Sequence, residues 1–298
     1  MILSVIVVNY KNEDMTISFV MNELSKISVE HNVLIVNNSV SDESDEKLAD
    51  KLNAEIVYST DKDENIRASR VYIIHNDTNA GFAKANNYGA VFAKNNFNTE
   101  YLLFTNNDIK FLDVNVVEAL INKMACHQEI AIIGPKVVGL DGKLQSPEPY
   151  YSFYQRMILP YIKPLMRWKK DKVKSNYSEL AEEGYHYKLM GSFFICNAKD
   201  YFACGMMDSH TFLYYEENIL TERLRKIGKS AYYFPQVGVL HAHNQTIGKH
   251  TSFKQQRDYM FESGAYFYKT YKNVPSLCVY FAWVLKELSK IVGSIKRL

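Results

Sequence analysis

The sequence predicts an α/β fold: a mainly parallel central sheet flanked by helices, followed by a helical C-terminal tail. Three observations lead there. The runs Leu3–Val8, Asn32–Val36 and Tyr101–Thr105 are short and apolar almost throughout, the pattern of strands covered on both faces of a parallel sheet. A helical pattern separates the first two runs, giving the βαβ rhythm of a doubly wound layer with right-handed crossovers. Each run then breaks into amides or acids, and ligands of open α/β sheets sit beyond the carboxyl ends of the strands.

The first strand, ending at Val8, runs into Asn9, Tyr10, Lys11 and Asn12. Asp14 is placed to cap a helix whose apolar face carries Met15, Phe19, Met21, Leu24 and Ile27. The second strand, Asn32–Val36, leads into Asn37, Asn38 and Ser39. The third, Val71–Ile74, follows a polar surface excursion over Ser59–Arg70. Asn79, Gly81 and Phe82 then open a helix. Gly81 permits a tight entry, and the helix start offers N–H groups to an anion. Asn86 and Asn87 lie one turn inside, where amides are poor helix formers; they either meet a ligand or tie down neighbouring loops.

The strand at Tyr101 ends in Asn106, Asn107 and Asp108. Asp108 is placed to meet a hard cation or a diphosphate, the alternative being an ordinary turn residue. Glu216 and Glu217 head a helix with Ile219, Leu220, Leu224 and Ile227 on its apolar face and Gly228 as its stop. A helix N-terminus favours ionised carboxylates, so the pair serves either a base or only the helix dipole. The strand Val237–His243 sets His241 and His243 on one face, as ligands or as a structural pair.

Between Pro147 and Met190, Tyr150, Tyr151, Phe153, Tyr154, Tyr161 and Trp168 alternate with Arg156, Lys163, Arg167, Lys169 and further lysines. Aromatic faces suit sugar rings, and the cations suit phosphate or an anionic membrane; a solvated loop is the alternative. From Ser276, Leu277, Tyr280, Phe281, Val284, Leu285 and Leu288 keep helical spacing. That face suits a membrane interface, the main domain, or a second subunit in a homodimer.

Composition narrows the classes. At 298 residues, 47% hydrophobic and 23% charged, the chain is long enough for a substantial core. A net charge of +2 gives no global reason to expect nucleic acid. Four cysteines without CxxC spacing suit a reducing compartment. The chain opens directly into a strand, and its longest apolar run is far short of the ~20 residues of a spanning helix. A cytoplasmic protein is expected, with the inner face of the plasma membrane as one site of action. No GxGxxG follows the first strand and no P-loop occurs, which argues against nicotinamide, flavin and P-loop chemistry.

Several motifs recur in a fixed order: Ser4–Tyr10; Val36–Ser44, similar to VDNxSxDxS but with Asn37 where Asp is usual; and Asn79–Gly89, similar to NxGFAxxNNxG. After them come the DxD-like Asn106-Asn107-Asp108, Gly134-Pro135-Lys136 through Ser146, Gly191–Phe194 and Phe212–Glu217. Jointly they resemble the family 2 glycosyltransferases, in particular the bacterial rhamnosyltransferase-like branch, over about residues 1–246.

The resemblance implies a GT-A nucleotide-diphospho-sugar transferase fold over 1–246, with a nucleotide-binding half (1–100), a metal and acceptor half (101–246) and a helical extension (247–298). It implies an inverting, metal-dependent hexosyl or rhamnosyl transferase using Mg2+ or Mn2+. That enzyme would move a sugar from a dTDP- or UDP-sugar to a hydroxyl of a growing, lipid-linked glycan in surface polysaccharide or O-antigen assembly. Val8, Asn9, Tyr10, Asn38, Asn79, Gly81, Phe82, Asn86, Asn87, Asn106 and Asn107 would then hold the donor. Asp108 would hold the metal, with His241 favoured over His243 beside it. Glu217 would be the base and Glu216 an orienter or hydroxyl ligand.

Two departures stand out: one carboxylate in the metal element, and Glu-Glu where Glu-Asp is usual. One Asp suffices for Mg2+, which often takes one or two carboxylates plus substrate phosphates. A rival reading is a catalytically impaired sugar-nucleotide-binding protein, suggested by Asn37, Asn106 and the Glu-Glu pair. A sugar nucleotidyltransferase would need a Gly-rich basic loop after the first strand, and Asn9–Asn12 does not supply one.

Overall fold

The central strands are apolar on both faces because both faces of the sheet are covered. In the computed structural model, which describes residues 2–63, 69–165, 177–242 and 251–295, β1 (Ile2–Asn9) pairs in parallel with β2 (His31–Asn37) and β5 (Thr99–Thr105). β4 (Val71–His75) extends the parallel layer beyond β2, and β3 (Glu55–Val57) closes that edge. At three residues β3 is too short to leave a periodic signal, and the sequence reading does not contain it. Beyond β5, the antiparallel β9 (Phe193–Asn197) lies between it and β7 (Ile130–Gly139). β10 (Ser230–His241) runs parallel to β7, with the short β6 (Ile109–Phe111) and β8 (Gly184–His186) antiparallel to it. All but β6, β8 and β9 therefore share one direction.

Side chains alternate between two cores, as the two-residue period of a strand requires. Val5, Val7, Ile35 and Leu103 face one core with Phe19 of α1 (Glu13–Asn22) and Leu120 and Ile121 of α4 (Val116–Ala125). Ile6, Leu34, Leu102 and Phe104 face the other with Phe92 of α3 (Phe82–Asn96) and Leu220 and Leu224 of α8 (Glu216–Lys226). Each such side chain stabilises by about 1.5–3 kcal/mol on burial. The first helix corrects two expectations. Its N-cap position is Asn12, so Asp14 lies inside the first turn and pairs with Lys47 at 2.8 Å. Met21 is exposed, because it lies across the helix from the buried Thr16, Phe19 and Val20. Side-chain capping occurs one element later, where Ser41 accepts from Ser44 N ahead of α2 (Asp42–Leu52). Gly228, at φ 76°, follows the end of α8, as predicted.

The tail is two helices, Phe253–Tyr271 and Ser276–Ile295. The first starts on a capping box of Ser252 and Gln255. Phe261, Phe267, Ala282 and Leu285 form a third cluster with Met157, Ile158 and Ile219 of α8. Arg223 of α8 fixes the same helix by donating to the Tyr271 hydroxyl at 2.9 Å and pairing with Asp208 at 3.0 Å. Among the described residues no helix is long and apolar enough to cross a membrane.

Candidate active site

Because most strands share one direction, the segments after β1, β2, β4, β5 and β10 reach the same edge of the sheet. A cleft of about 820 Å³ opens there. Val8, Tyr10, Asn38, Asn79, Gly81 and Phe82 line it, as do Asn106, Asn107, Asp108, His241, Glu216 and Glu217. Asn9, Asn86 and Asn87 do not line it, and His243 lies outside the described residues.

The three asparagines outside the cleft bond within the protein. Asn9 accepts from Thr16 Oγ1 at 2.7 Å and donates to Asn37 Oδ1 at 2.9 Å. Asn86 donates to the Phe82 carbonyl at 2.9 Å. Asn87 donates to the Met207 carbonyl at 2.8 Å and accepts from the Tyr201 hydroxyl at 2.6 Å, tying α3 to a loop far along the chain. Gly81 also has a joining role. Its φ is 76°, and a Cβ there would stand 2.6 Å from the Phe212 carbonyl oxygen. Phe82 N donates to that same oxygen at 3.0 Å, so this N–H of the helix start is already taken. The sequence reading offered it to an anion.

Asn37 has a local cause. Its amide donates to Asp45 Oδ1 at 2.7 Å and to Ser44 Oγ at 2.9 Å. Asp45 is in turn held by His75 Nδ1 at 2.5 Å, and this hydrogen bond raises the His75 pKa. An aspartate at position 37 would set two buried carboxylates side by side, so the amide is what this pocket requires. Asp42, Asp45 and His75 bring ligand atoms within 4.8 Å of one another, close enough to hold a cation. None of the three lines the cleft.

Asp108 differs. β5 ends at Thr105, and the turn Asn106-Asn107-Asp108 leads into β6, whose Ile109 is paired with His241. His241 Nε2 therefore lies 3.4 Å from Asp108 Oδ1. That oxygen is buried and has no hydrogen-bond partner, so the pair makes no hydrogen bond at this distance. Gln145 Oε1 accepts from His241 Nδ1–H at 2.7 Å, which turns Nε2 towards Asp108 and the Asn106 side-chain amide, 3.4 Å away. An orphaned carboxylate oxygen beside an imidazole nitrogen whose other nitrogen is pinned is a donor set that suits a divalent cation.

The acids at the head of α8 are unlike each other. Glu216 is buried, its Oε1 has no partner, and burial followed by the charge of Glu217 pushes its pKa up to about 8. Desolvation holds this acid towards its neutral form, against the pull of the helix N-terminus. Glu217 accepts from Gly191 N at 3.1 Å, and any Cβ at position 191 would overlap its carboxylate. Lys188, buried beside Glu148 at 3.3 Å, acts electrostatically on both acids. The two residues before the helix, Tyr214 and Tyr215, take φ of 71° and 69°. Such conformations cost about 1–3 kcal/mol each and persist where the surroundings demand them. Here they aim the acids into the cleft. Lys188 carries no local sequence signal, whereas Gly191 and the strained tyrosines fall within recognisable motifs.

A mostly parallel sheet with its cleft at the strand ends, flanked by helices, is the GT-A architecture. The model of the family described as "Glycosyl transferase family 2" matches residues 4–196. The chain belongs to that family. No curated protein sequence matches it. Among solved structures it is similar to "Mannosyltransferase PcManGT from Pyrobaculum calidifontis in complex with GDP-Man and Mn2+", with a TM-score of 0.57 and 11% identity over 92% of this chain and 64% of that one. It is also similar to GalNAc-T7 with UDP, GalNAc and Mn2+ (TM-score 0.57, 13% identity, 91% of this chain and 49% of that one). S. aureus TarS 1-349 in complex with UDP gives a TM-score of 0.52 at 14% identity, over 94% of this chain and 68% of that one. The chain spans less than two thirds of the length of the first two.

Proposed function

We propose that the protein is an inverting, metal-dependent transferase of the rhamnosyltransferase-like branch, acting on a dTDP- or UDP-sugar. Its acceptor is a hydroxyl of a growing, lipid-linked glycan in surface polysaccharide or O-antigen assembly. One observation carries this reading: a single cleft holds both the orphaned Asp108 carboxylate beside His241 and the Glu216–Glu217 pair. Asp108 and His241 would hold Mg2+ or Mn2+, which when bound offsets the charge of the departing diphosphate. Tyr10, Asn38 and Asn79 border the donor. Glu217, held on Gly191 N–H, takes the acceptor proton as the new C–O bond forms and the bond to the diphosphate breaks. Glu216, whose carboxyl is held towards its neutral form by burial, donates a hydrogen bond to a sugar hydroxyl.

A melting-temperature panel of sugar nucleotides with and without Mg2+ or Mn2+ tests this reading. One donor at ~100 times its dissociation constant should stabilise by about 2.7 kcal/mol. That donor should then turn over with an added glycan acceptor. Binding without turnover on any acceptor would favour the impaired binding protein. No stabilisation by any donor would remove the donor site altogether.

A further inference from the structure

We propose that the outward face of the Ser276–Ile295 helix is a docking face for an anionic lipid surface. Among its described side chains the helix is buried on one side, through Ala282, Leu285 and Lys286. On the other side Leu277, Tyr280, Phe281 and Leu288 recur at positions that share one helical stripe. Trp283 borders the stripe and stacks on Tyr280 at 5.8 Å. These five side chains are 46% to 77% exposed. Contiguous apolar surface of this kind marks an interaction site.

Charge and composition select the occupant. Residues 253–298 carry eight Lys and Arg against three acids, a local charge of +5 in a chain whose total is +2. Lys272, Lys286 and Lys290 are ion-paired, while Lys254 and Lys269 of the first tail helix are exposed. Asp258 takes Lys286 at 2.5 Å and Lys290 at 3.3 Å, and Glu287 takes Lys290 at 2.8 Å. A second copy docked on the same face would set this basic segment against itself, whereas anionic headgroups complement it. Leucine and phenylalanine beside tyrosine and tryptophan is the residue set that settles at the boundary between headgroups and acyl chains.

The helix pair also adjoins the cleft: Phe253 and Met260 of the first tail helix are exposed and line the opening, and Ser289, on the inward side of the last helix, lines it too. The docking face does not depend on the transferase reading.

The test is co-sedimentation of the whole chain with vesicles of phosphatidylcholine alone or mixed equally with phosphatidylglycerol. Wild type should sediment with the mixed vesicles and be released by salt. The double variant Phe281→Glu, Leu288→Glu changes only exposed positions. It should lose about tenfold or more in vesicle affinity while keeping its melting temperature. Wild type left in the supernatant, or a variant that binds as well, would overturn the proposal. So would concentration-dependent dimerisation abolished by the variant, which assigns the face to a second copy. Failure of the transferase reading would show separately, as absence of donor stabilisation in wild type.

Discussion

Around Asn9 and Asn37 the buried amides end on protein partners, whereas around Asp108 and Glu216 buried oxygens are left with none. The two clusters lie at the same edge of the same sheet. In the first, Asn9, Asn37, Ser44, Asp45 and His75 form a closed chain of hydrogen bonds linking β1, α2 and β4. Glu13 belongs to it: burial would raise its carboxyl, yet hydrogen bonds from Ser44, Ser39 and Asn9 hold it below its ordinary value. In the second, three of the five orphaned buried side-chain oxygens among the described residues, on Asp108, Ser192 and Glu216, line the cleft. A buried polar group without a partner costs about 1–3 kcal/mol. The closed cluster serves the fold; the open one is a place where something else completes the bonding.

The largest effect is expected where the open cluster does chemistry. Glu217→Gln should lower kcat by about 10²–10⁴ while donor affinity, read by titration, stays unchanged. Unaltered turnover would take the base role from Glu217. Gly191→Ala sharpens the same point, since its methyl group would displace the Glu217 carboxylate. A loss of about 100-fold in kcat with an ordinary melting temperature is expected. Full activity would mean that Gly191 does not position Glu217.

In the closed cluster, Asn37→Asp should leave donor binding intact and destabilise by about 1–3 kcal/mol in urea denaturation. The loss should grow as pH rises and both carboxyls ionise. A variant as stable as wild type would show that Asp45 tolerates a charged neighbour. The smallest effect concerns Glu216. Its pKa is raised from 4.5 to about 8, so the native state keeps a proton that the unfolded chain loses. Stability from this group therefore falls as pH rises from about 4.5 towards 8. Glu216→Gln should remove that part of the slope, visible as the difference between the two melting curves against pH.

Much of the open cluster was legible in the chain, because strand ends and the motifs on them are local. A strand that breaks and a helix that begins mark Asp108 and the Glu216–Glu217 pair as candidates, and the family resemblance singles out Glu217 as the base. The bonds that fasten distant loops were less so. Asn87 reads as an unexplained amide inside a helix, and its partners, Tyr201 and Met207, lie more than a hundred residues on. Glu216 misled for a related reason. Its helix position predicts an ionised acid, but the fold buries it, and burial depends on contacts that the local sequence does not show. The outward stripe of the last helix was visible as a periodicity, though not the side on which it lies.

The most direct test is the melting temperature of Asp108→Asn against wild type, each with and without Mn2+ and a stabilising sugar nucleotide. If the orphaned oxygen is there for a ligand, the variant should melt no lower than wild type when alone and should lose the metal-dependent rise. A variant that melts lower alone and keeps the full rise would make Asp108 part of the fold and contradict the division drawn between the two clusters.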